Sequence, residues 1–311
     1  MATFPSATLA LLHQQVGHIT SAQLAESGIS RTARRRLVTD GVLEHPFKSV
    51  YRLPGERLSI EQRFIGISLA HPAGFLTGCR VGSHLGLRKM LRVAPLQLCL
   101  PHGSPASVDS GVTIRQSTKI NDSDRRRLDN GMIVASWPRL AFDLAADLPP
   151  ASFRSVIEQL LQLQHCTPEE LGAIARRLCH PRRPGSELFA ATLMARAGRR
   201  PVESDAELRV LEGLLARGIP IEPQHRLLQL RDGRTVRIDL AVPAVRWAVE
   251  IDVHPDHIEL AGTTHDKRRD RQMHLIDWEV ERVSPLDLLD LDGTLDELEE
   301  LYRLRVRRAA A

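Results

Sequence analysis

Two runs toward the end of the chain, residues 235–242 and 246–253, alternate apolar and polar side chains with period two and meet at Pro243-Ala244. That period places residues two apart on one face of an extended strand. Ile238 and Leu240 then point one way and Arg237 and Asp239 the other. In the second run Val249 and Ile251 point inward, while Glu250 and Asp252 share the opposite face. Antiparallel pairing through so short a turn brings Asp239 beside Glu250. Three carboxylates on one face of a core-forming pair repel one another unless something neutralises them. Either the face opens to water and its acids are solvated or paired with Arg237 and Arg246, or a divalent cation sits among them. Magnesium is commonly held by one or two carboxylates together with waters and a phosphate oxygen. A metal so held lowers the pKa of its bound water and stabilises in-line attack on a phosphodiester.

The residues flanking these runs carry two readings each. Ser204-Asp205-Ala206-Glu207 opens an apolar helix over residues 208–218. Ser-x-x-Glu is the pattern of a capping box, in which the glutamate reaches back to the Ser204 amide; the same glutamate is also placed to join the acids. His254, His257 and His265 follow the second run, as loop histidines or as a proton donor beside a metal; their spacing matches no strong zinc pattern. The run from His265 to Arg271 either forms a solvated face or sets Lys267 or Arg269 over a scissile phosphate.

Charge is unevenly spread. Residues 1–55 hold 6 Lys/Arg against 3 Asp/Glu, residues 56–199 hold 19 against 12, and residues 200–311 hold 17 against 23, for a net +4 over 311 residues. Basic surface suits a polyanionic partner. An acidic segment suits one only if its carboxylates do something other than face the phosphates. Aromatics are 4% of the chain, too few for single-strand binding by stacked rings. The four cysteines show no C-x-x-C spacing, so neither a disulfide framework nor a cysteine-rich zinc site is expected, and a reducing cytoplasm is the simpler setting. No apolar run approaches the roughly 18 residues of a membrane span. Residues 1–15 carry no secretion signature.

The first 55 residues read as short helices and a hairpin. Thr20 or Ser21 caps a helix over residues 22–27 ended by Gly28, and Ser30 caps a second helix, Arg31–Thr39, stopped by Gly41. Residues 42–44 and 49–53 read as strands of a wing around His45-Pro46. Helix, glycine turn and helix match a helix-turn-helix. Arg31, Arg34, Arg35 and Arg36 lie on the second helix, and Lys48 and Arg52 on the wing. These six are the expected DNA contacts, the helix in the major groove and the wing on phosphates. Residues 56–184 mix strand-like pieces near Phe75, 96–100, 112–116 and 132–135 with helical spacing over 140–148 and 153–163. Pro181-Arg182-Arg183-Pro184-Gly185 reads as a breaker before a short helix over 186–197. Residues 303–311 read as an Arg/Ala tail.

Ser204-x-x-Glu207, Arg237-x-Asp239-Leu240-Ala241-x-Pro243, Glu250-x-Asp252, His257, Asp266-x-x-Arg269-Asp270 and Trp278-x-Val280 occur in that order. Together they resemble the very-short-patch-repair-like endonuclease domain catalogued as domain of unknown function 559, within the restriction-endonuclease-like PD-(D/E)XK superfamily. The resemblance covers about residues 200–290. Gly17-His18-Ile19-Thr20 and Val50-Tyr51-Arg52-Leu53-Pro54-Gly55 are similar to the winged helix of AbiEi-type antitoxins. Phe75-Leu76-Thr77-Gly78 and Ser136-Trp137-Pro138-Arg139 through Asp143-Leu144-Ala145 look like the segment that follows it. The resemblance implies a Mg²⁺ or Mn²⁺ ion on Asp239 and Glu250, assisted by Asp252, Glu207 and His257. Two positions depart from the pattern: Val253 and Asp277 stand where glycine is usual.

Three parts are therefore expected: a winged helix-turn-helix over 1–55, an α+β middle domain over 56–199, and a restriction-endonuclease-like α/β domain over 200–311. The expected activity is Mg²⁺-dependent hydrolysis of DNA in the cytoplasm, with Arg269 or Lys267 stabilising developing charge. The alternative is a DNA-binding, antitoxin-like regulator whose nuclease fold does not cut. DNA is the expected partner in both, with a cognate toxin or self-association besides, and no membrane.

Overall fold

A computed structural model describes residues 4–55, 57–105, 111–226, 230, 233–252 and 271–310. It is a mixed α+β structure, with three sheets among the described residues. The chain divides into two compact units: one takes the chain up to Val156 together with Cys166–Leu193, the other Ile157–His165 and everything from Met194 onward.

The first unit opens with helix α1 (Ser6–Gln14), strand β1 (His18–Thr20), helices α2 (Ser21–Glu26) and α3 (Arg31–Thr39), and strands β2 (Glu44–Phe47) and β3 (Val50–Arg52). The strands form a small antiparallel sheet in the order β1-β3-β2. Leu12, Ile19, Leu24 and Leu43 make the buried cluster beneath it. The wing turns later than Pro46 suggests. His45-Pro46 lies inside β2, and the reversal falls at Lys48-Ser49, where Ser49 takes a left-handed backbone with φ 60°. Pro46 fits within β2 because an edge strand needs no donor on its outer side.

Next come α4 (Ile60–Ala70), β4 (Phe75–Thr77), α5 (Cys79–His84), β5 (Leu96–Pro101), β6 (Val112–Ser117), β7 (Arg125–Arg127), β8 (Ile133–Ala135) and α6 (Trp137–Leu144). A five-stranded mixed sheet orders them β6-β5-β4-β8-β7. Phe47 of the wing packs on this part of the unit, in one cluster with Phe64, Ile65, Leu76 and Leu98. Gly66 makes that packing possible, because a Cβ there would stand 2.2 Å from the Phe47 ring. Helices α7 (Pro150–Gln162), α8 (Pro168–Leu178) and α9 (Ser186–Ala195) follow, with α7 from Ile157 onward and the last two residues of α9 counted in the second unit.

A buried ion network fixes this unit. Arg139, on α6, donates to Asp143 at 3.1 Å and to Asp124 at 3.1 Å. Arg177 of α8 donates to Asp124 through both terminal nitrogens. Thr77 of β4 donates to Asp143 at 2.8 Å. Asp124 is fully buried, so its charge is tolerable only because two guanidinium groups hold it. Removing one partner of such a pair strands the others and costs about 3–5 kcal/mol.

The second unit contains α10 (Asp205–Ala216), β9 (Glu222–Arg226), β10 (Arg237–Val242), β11 (Trp247–Ile251), β12 (Glu279–Val283) and α11 (Leu291–Ala309). Its sheet runs β12-β11-β10-β9, with β10 antiparallel to β9 and β11, and β11 parallel to β12. Leu240, Val242, Trp247, Val249 and Ile251 pack with Leu211, Leu214 and Leu295 of α10 and α11 in the main core. Ile238, Ala241 and Ala248 join Met273 and Trp278 in a smaller one. Residues 303–309 are the last turns of α11 rather than a loose tail. Arg305 is buried there, donating to the Val245 and Asp277 carbonyls at 2.7 and 2.6 Å.

We expect Asp124→Ala to lower the free energy of unfolding of the first unit by about 3 kcal/mol, read as a fall in urea midpoint with helix signal from α6 and α8. An unchanged midpoint would mean the network contributes nothing.

Candidate functional site

In the N-terminal module the local sequence sets the helices. Thr20 and Gln23 close a capping box at the start of α2, with Gln23 N–H donating to Thr20 Oγ1 at 3.1 Å and Thr20 N–H donating to Gln23 Oε1 at 2.9 Å. Gly28 then takes φ 79°, a left-handed turn that favours glycine. Ser30 caps α3 by accepting from Ala33 N–H.

No residue of α3 is fully buried. Leu37 packs against the cluster of Leu12, Ile19 and Leu24, and Arg34 donates to the Ser21 carbonyl at the head of α2. Arg31, Arg35 and Arg36 are left on the exposed side. Lys48 is exposed at the wing tip. Arg52 is buried; its Nε donates to Glu44 Oε2 at 2.5 Å across the hairpin, and Nη2 reaches the Gly55 carbonyl. Of the six expected contacts, then, Arg31, Arg35, Arg36 and Lys48 face outward, whereas Arg34 and Arg52 are engaged within the module.

In the second unit, the β10–β11 pairing runs as far as Leu240 opposite Val249, and Asp239 and Glu250 are the next residues beyond that pair. Glu250 pairs in turn with Arg282 of β12. Arg282 was not singled out in the sequence, although period two from Val280 puts it on the face of Glu250. Its guanidinium lies 3.5 Å from Glu250 and 3.8 Å from Asp252. Asp239 accepts the Ile251 N–H at 3.0 Å. Glu207, from α10, is buried. Half of its anticipated capping box forms: Glu207 N–H donates to Ser204 Oγ, but the carboxylate accepts from Glu203 N–H at 2.9 Å instead of Ser204 N–H. Gln224 Nε2 donates to the same oxygen at 2.9 Å. Burial pushes the Glu207 carboxyl above the usual carboxylate range, and the negative charge of Asp239 adds to the shift. Gln224 itself was missed; it sits in β9 at φ 52°, and its buried Oε1 has no hydrogen-bond partner among the described residues. No spacing rule identifies such a residue.

Asp277 takes φ 63°. Aspartate tolerates that region better than most residues, and Arg246 and Arg305 each approach its carboxylate to 3.2 Å. Among the described residues, no group of three or more His, Cys, Asp and Glu is placed to hold a metal ion. His257 and Arg269, with His254, His265, Lys267 and Val253, lie outside the described residues. No described helix is long and apolar enough to cross a membrane.

Paired helices, a glycine turn between them and a wing behind a basic outer helix are the arrangement of winged helix-turn-helix DNA-binding modules. Residues 6–54 match the family described as "Transcriptional regulator, AbiEi antitoxin", so this segment is an AbiEi antitoxin-like domain. No curated protein matches the chain. Among solved structures, that of the RV2827C protein from Mycobacterium tuberculosis is 21% identical, covers 66% of this chain and 84% of its own, and superposes with a TM-score of 0.37.

The raised Glu207 pKa has a sign for stability. The group favours the fold fully below its ordinary pKa, and that contribution is lost as pH rises through the elevated folded value. Glu207→Gln keeps an acceptor for Glu203 N–H, removes the charge, and offers a donor to Gln224 Oε1. It should stabilise the second unit by about 1 kcal/mol at neutral pH, with the gain vanishing in acid. Urea midpoints at the two pH values would expose the opposite result, a loss at neutral pH.

Proposed function

We propose that this chain is a DNA-binding transcriptional regulator of the antitoxin type, contacting duplex DNA with α3 in the major groove and Lys48 on the phosphate backbone. The observation that carries this reading is the outward side of α3, where Arg31, Arg35 and Arg36 stand on a helix anchored from behind within the antitoxin-like domain. Arginine reads guanine edges bidentately and pairs with phosphate oxygens, so three on one helix supply both affinity and register. The family description also supports a toxin as a protein partner.

Fluorescence anisotropy on a labelled duplex tests it. Affinity should fall with salt at a slope of about −0.9 per phosphate neutralised. Replacing Arg31, Arg35 and Arg36 together with alanine should lower affinity more than about tenfold and make that slope shallower. A triple variant that binds as tightly as wild type, with the same slope, removes this reading.

A second reading is magnesium- or manganese-dependent cleavage of DNA, and Glu207 favours it: a buried acid with a raised pKa beside Asp239 is common at catalytic centres. Asp239 and Glu250 would hold the ion, with Asp252 beside them. The ion would supply a bound water of lowered pKa. Arg282 already meets Glu250 and Asp252, so a dication fits this donor set only where that guanidinium gives way, and we derive no hydrolytic step from it. Calorimetric titration of Mg²⁺ and a plasmid-nicking assay on wild type and Asp239→Ala decide the matter. Ion binding and nicking that both disappear in the variant support cleavage, and equal nicking by the two proteins defeats it.

A further inference from the structure

The loop between α8 and α9 walls a cleft of about 870 Å³ in the first unit, lined by Cys179, His180, Arg182, Arg183 and the first residues of α9 against Ala145 and Ala146 at the end of α6. Its wall is closely packed. Gly185 takes φ 81°, and a Cβ there would meet the Ala146 nitrogen at 2.6 Å, so the loop is pressed onto backbone. His180 N–H donates to Ser186 Oγ, and His180 Nδ1 accepts from Arg182 N–H at 3.2 Å.

The cations on this cleft form no ion pair among the described residues. Arg183 is half-buried with its guanidinium over the Phe142 ring at 5.1 Å, and its polar contact is a long one, 3.4 Å to Ser117 Oγ. Neither Arg183 nor Arg182 forms an ion pair among the described residues. The nearby acids Asp124 and Asp143 are already held by Arg139 and Arg177. Desolvation and the positive charge of Arg139 pull the Arg183 pKa below its usual value, offset in part by the negative charge of Asp143. A cation that is desolvated and repelled in this way gains from an anion more than a surface arginine does. The helix adds to that pull. Phe189 N–H is the first in α9 to reach back one full turn, to the Gly185 carbonyl, leaving the Glu187 and Leu188 amides of the opening turn without intrahelical acceptors. Glu187 is the one carboxylate on the lining, and it is exposed.

From this geometry we propose that the cleft between the α8–α9 loop and the end of α6 binds a phosphoryl group, held by Arg182, Arg183 and the opening amides of α9. The group could come from a free phosphorylated small molecule or from a nucleic-acid backbone, since the chemistry recognised is the same. This site is independent of the α3 surface and of the acids on β10 and β11.

Isothermal titration of inorganic pyrophosphate into the full chain tests it. Saturable binding at one site per chain is expected, weakened about tenfold or more by Arg182→Gln and strengthened by Glu187→Gln. Both substitutions are at exposed positions, so they test the site even if Arg183→Gln fails to fold. Competition by pyrophosphate against a labelled duplex then separates the sources: displacement of the duplex assigns the site to backbone phosphate, and calorimetric binding without displacement assigns it to a free ligand. Absence of saturable heat, or binding that neither Arg182→Gln nor Glu187→Gln alters, overturns the proposal.

Discussion

Whatever the N-terminal unit can do to DNA depends on how a nine-residue helix with no fully buried side chain is held in place. An isolated helix of that length and polarity is not stable in water. Three local devices hold α3: the Ser30 cap, the Leu37 contact with the cluster of Leu12, Ile19 and Leu24, and the Arg34 bond to the Ser21 carbonyl. Each acts from the inner side. Arg31, Arg35 and Arg36 are thereby freed of structural duty, and their charges are presented from a fixed scaffold rather than a mobile arm. The wing is treated the same way. Arg52 is spent on Glu44, tying β3 to β2, and Lys48 is left at the tip.

The uneven charge along the sequence resolves into different uses of arginine. In the first unit, buried Asp124, Arg139 and Asp143, with the partly exposed Arg177, join β4, α6 and α8 in one network. In the second, the acidic excess is met from within: Arg282 faces Glu250 and Asp252, Arg305 faces Asp277 and Glu279, and Arg217 faces Asp296 and Glu299. The like charges of Glu250 and Asp252 are thus met by a protein cation, Arg282, while Asp239 accepts the Ile251 N–H.

What could be read from the sequence was what local chemistry decides. The bounds of α3 follow from Ser30 and the residues that cannot continue the helix, and they fall where read. The alternation of β11 likewise gives the shared face of Val249 and Ile251, whereas Ile238 and Leu240, read onto one face of β10, pack in different cores. The wing turn was misplaced because His45-Pro46 carries a turn composition, whereas the reversal at Ser49 depends on Phe47 being drawn into the core against Gly66. Arg139 and Asp143 were visible as a motif, but their purpose was not, since Asp124 and Arg177 arrive from other elements. Arg282 could have been found by parity once β12 was known to pair in parallel with β11, a long-range fact that no single segment contains. Arg34 and Arg52 look like their neighbours in composition, and only the tertiary partners Ser21 and Glu44 distinguish them.

Site-specific photo-crosslinking to duplex DNA tests the central claim most directly. A photoreactive residue at position 35 of α3 or position 48 of the wing should crosslink to a bound duplex. The same group at Glu26, exposed on α2, should do so weakly or not at all. Crosslinks that arise from position 26 but not from position 35 or 48 would contradict the assignment of α3 and the wing tip as the surface that meets DNA.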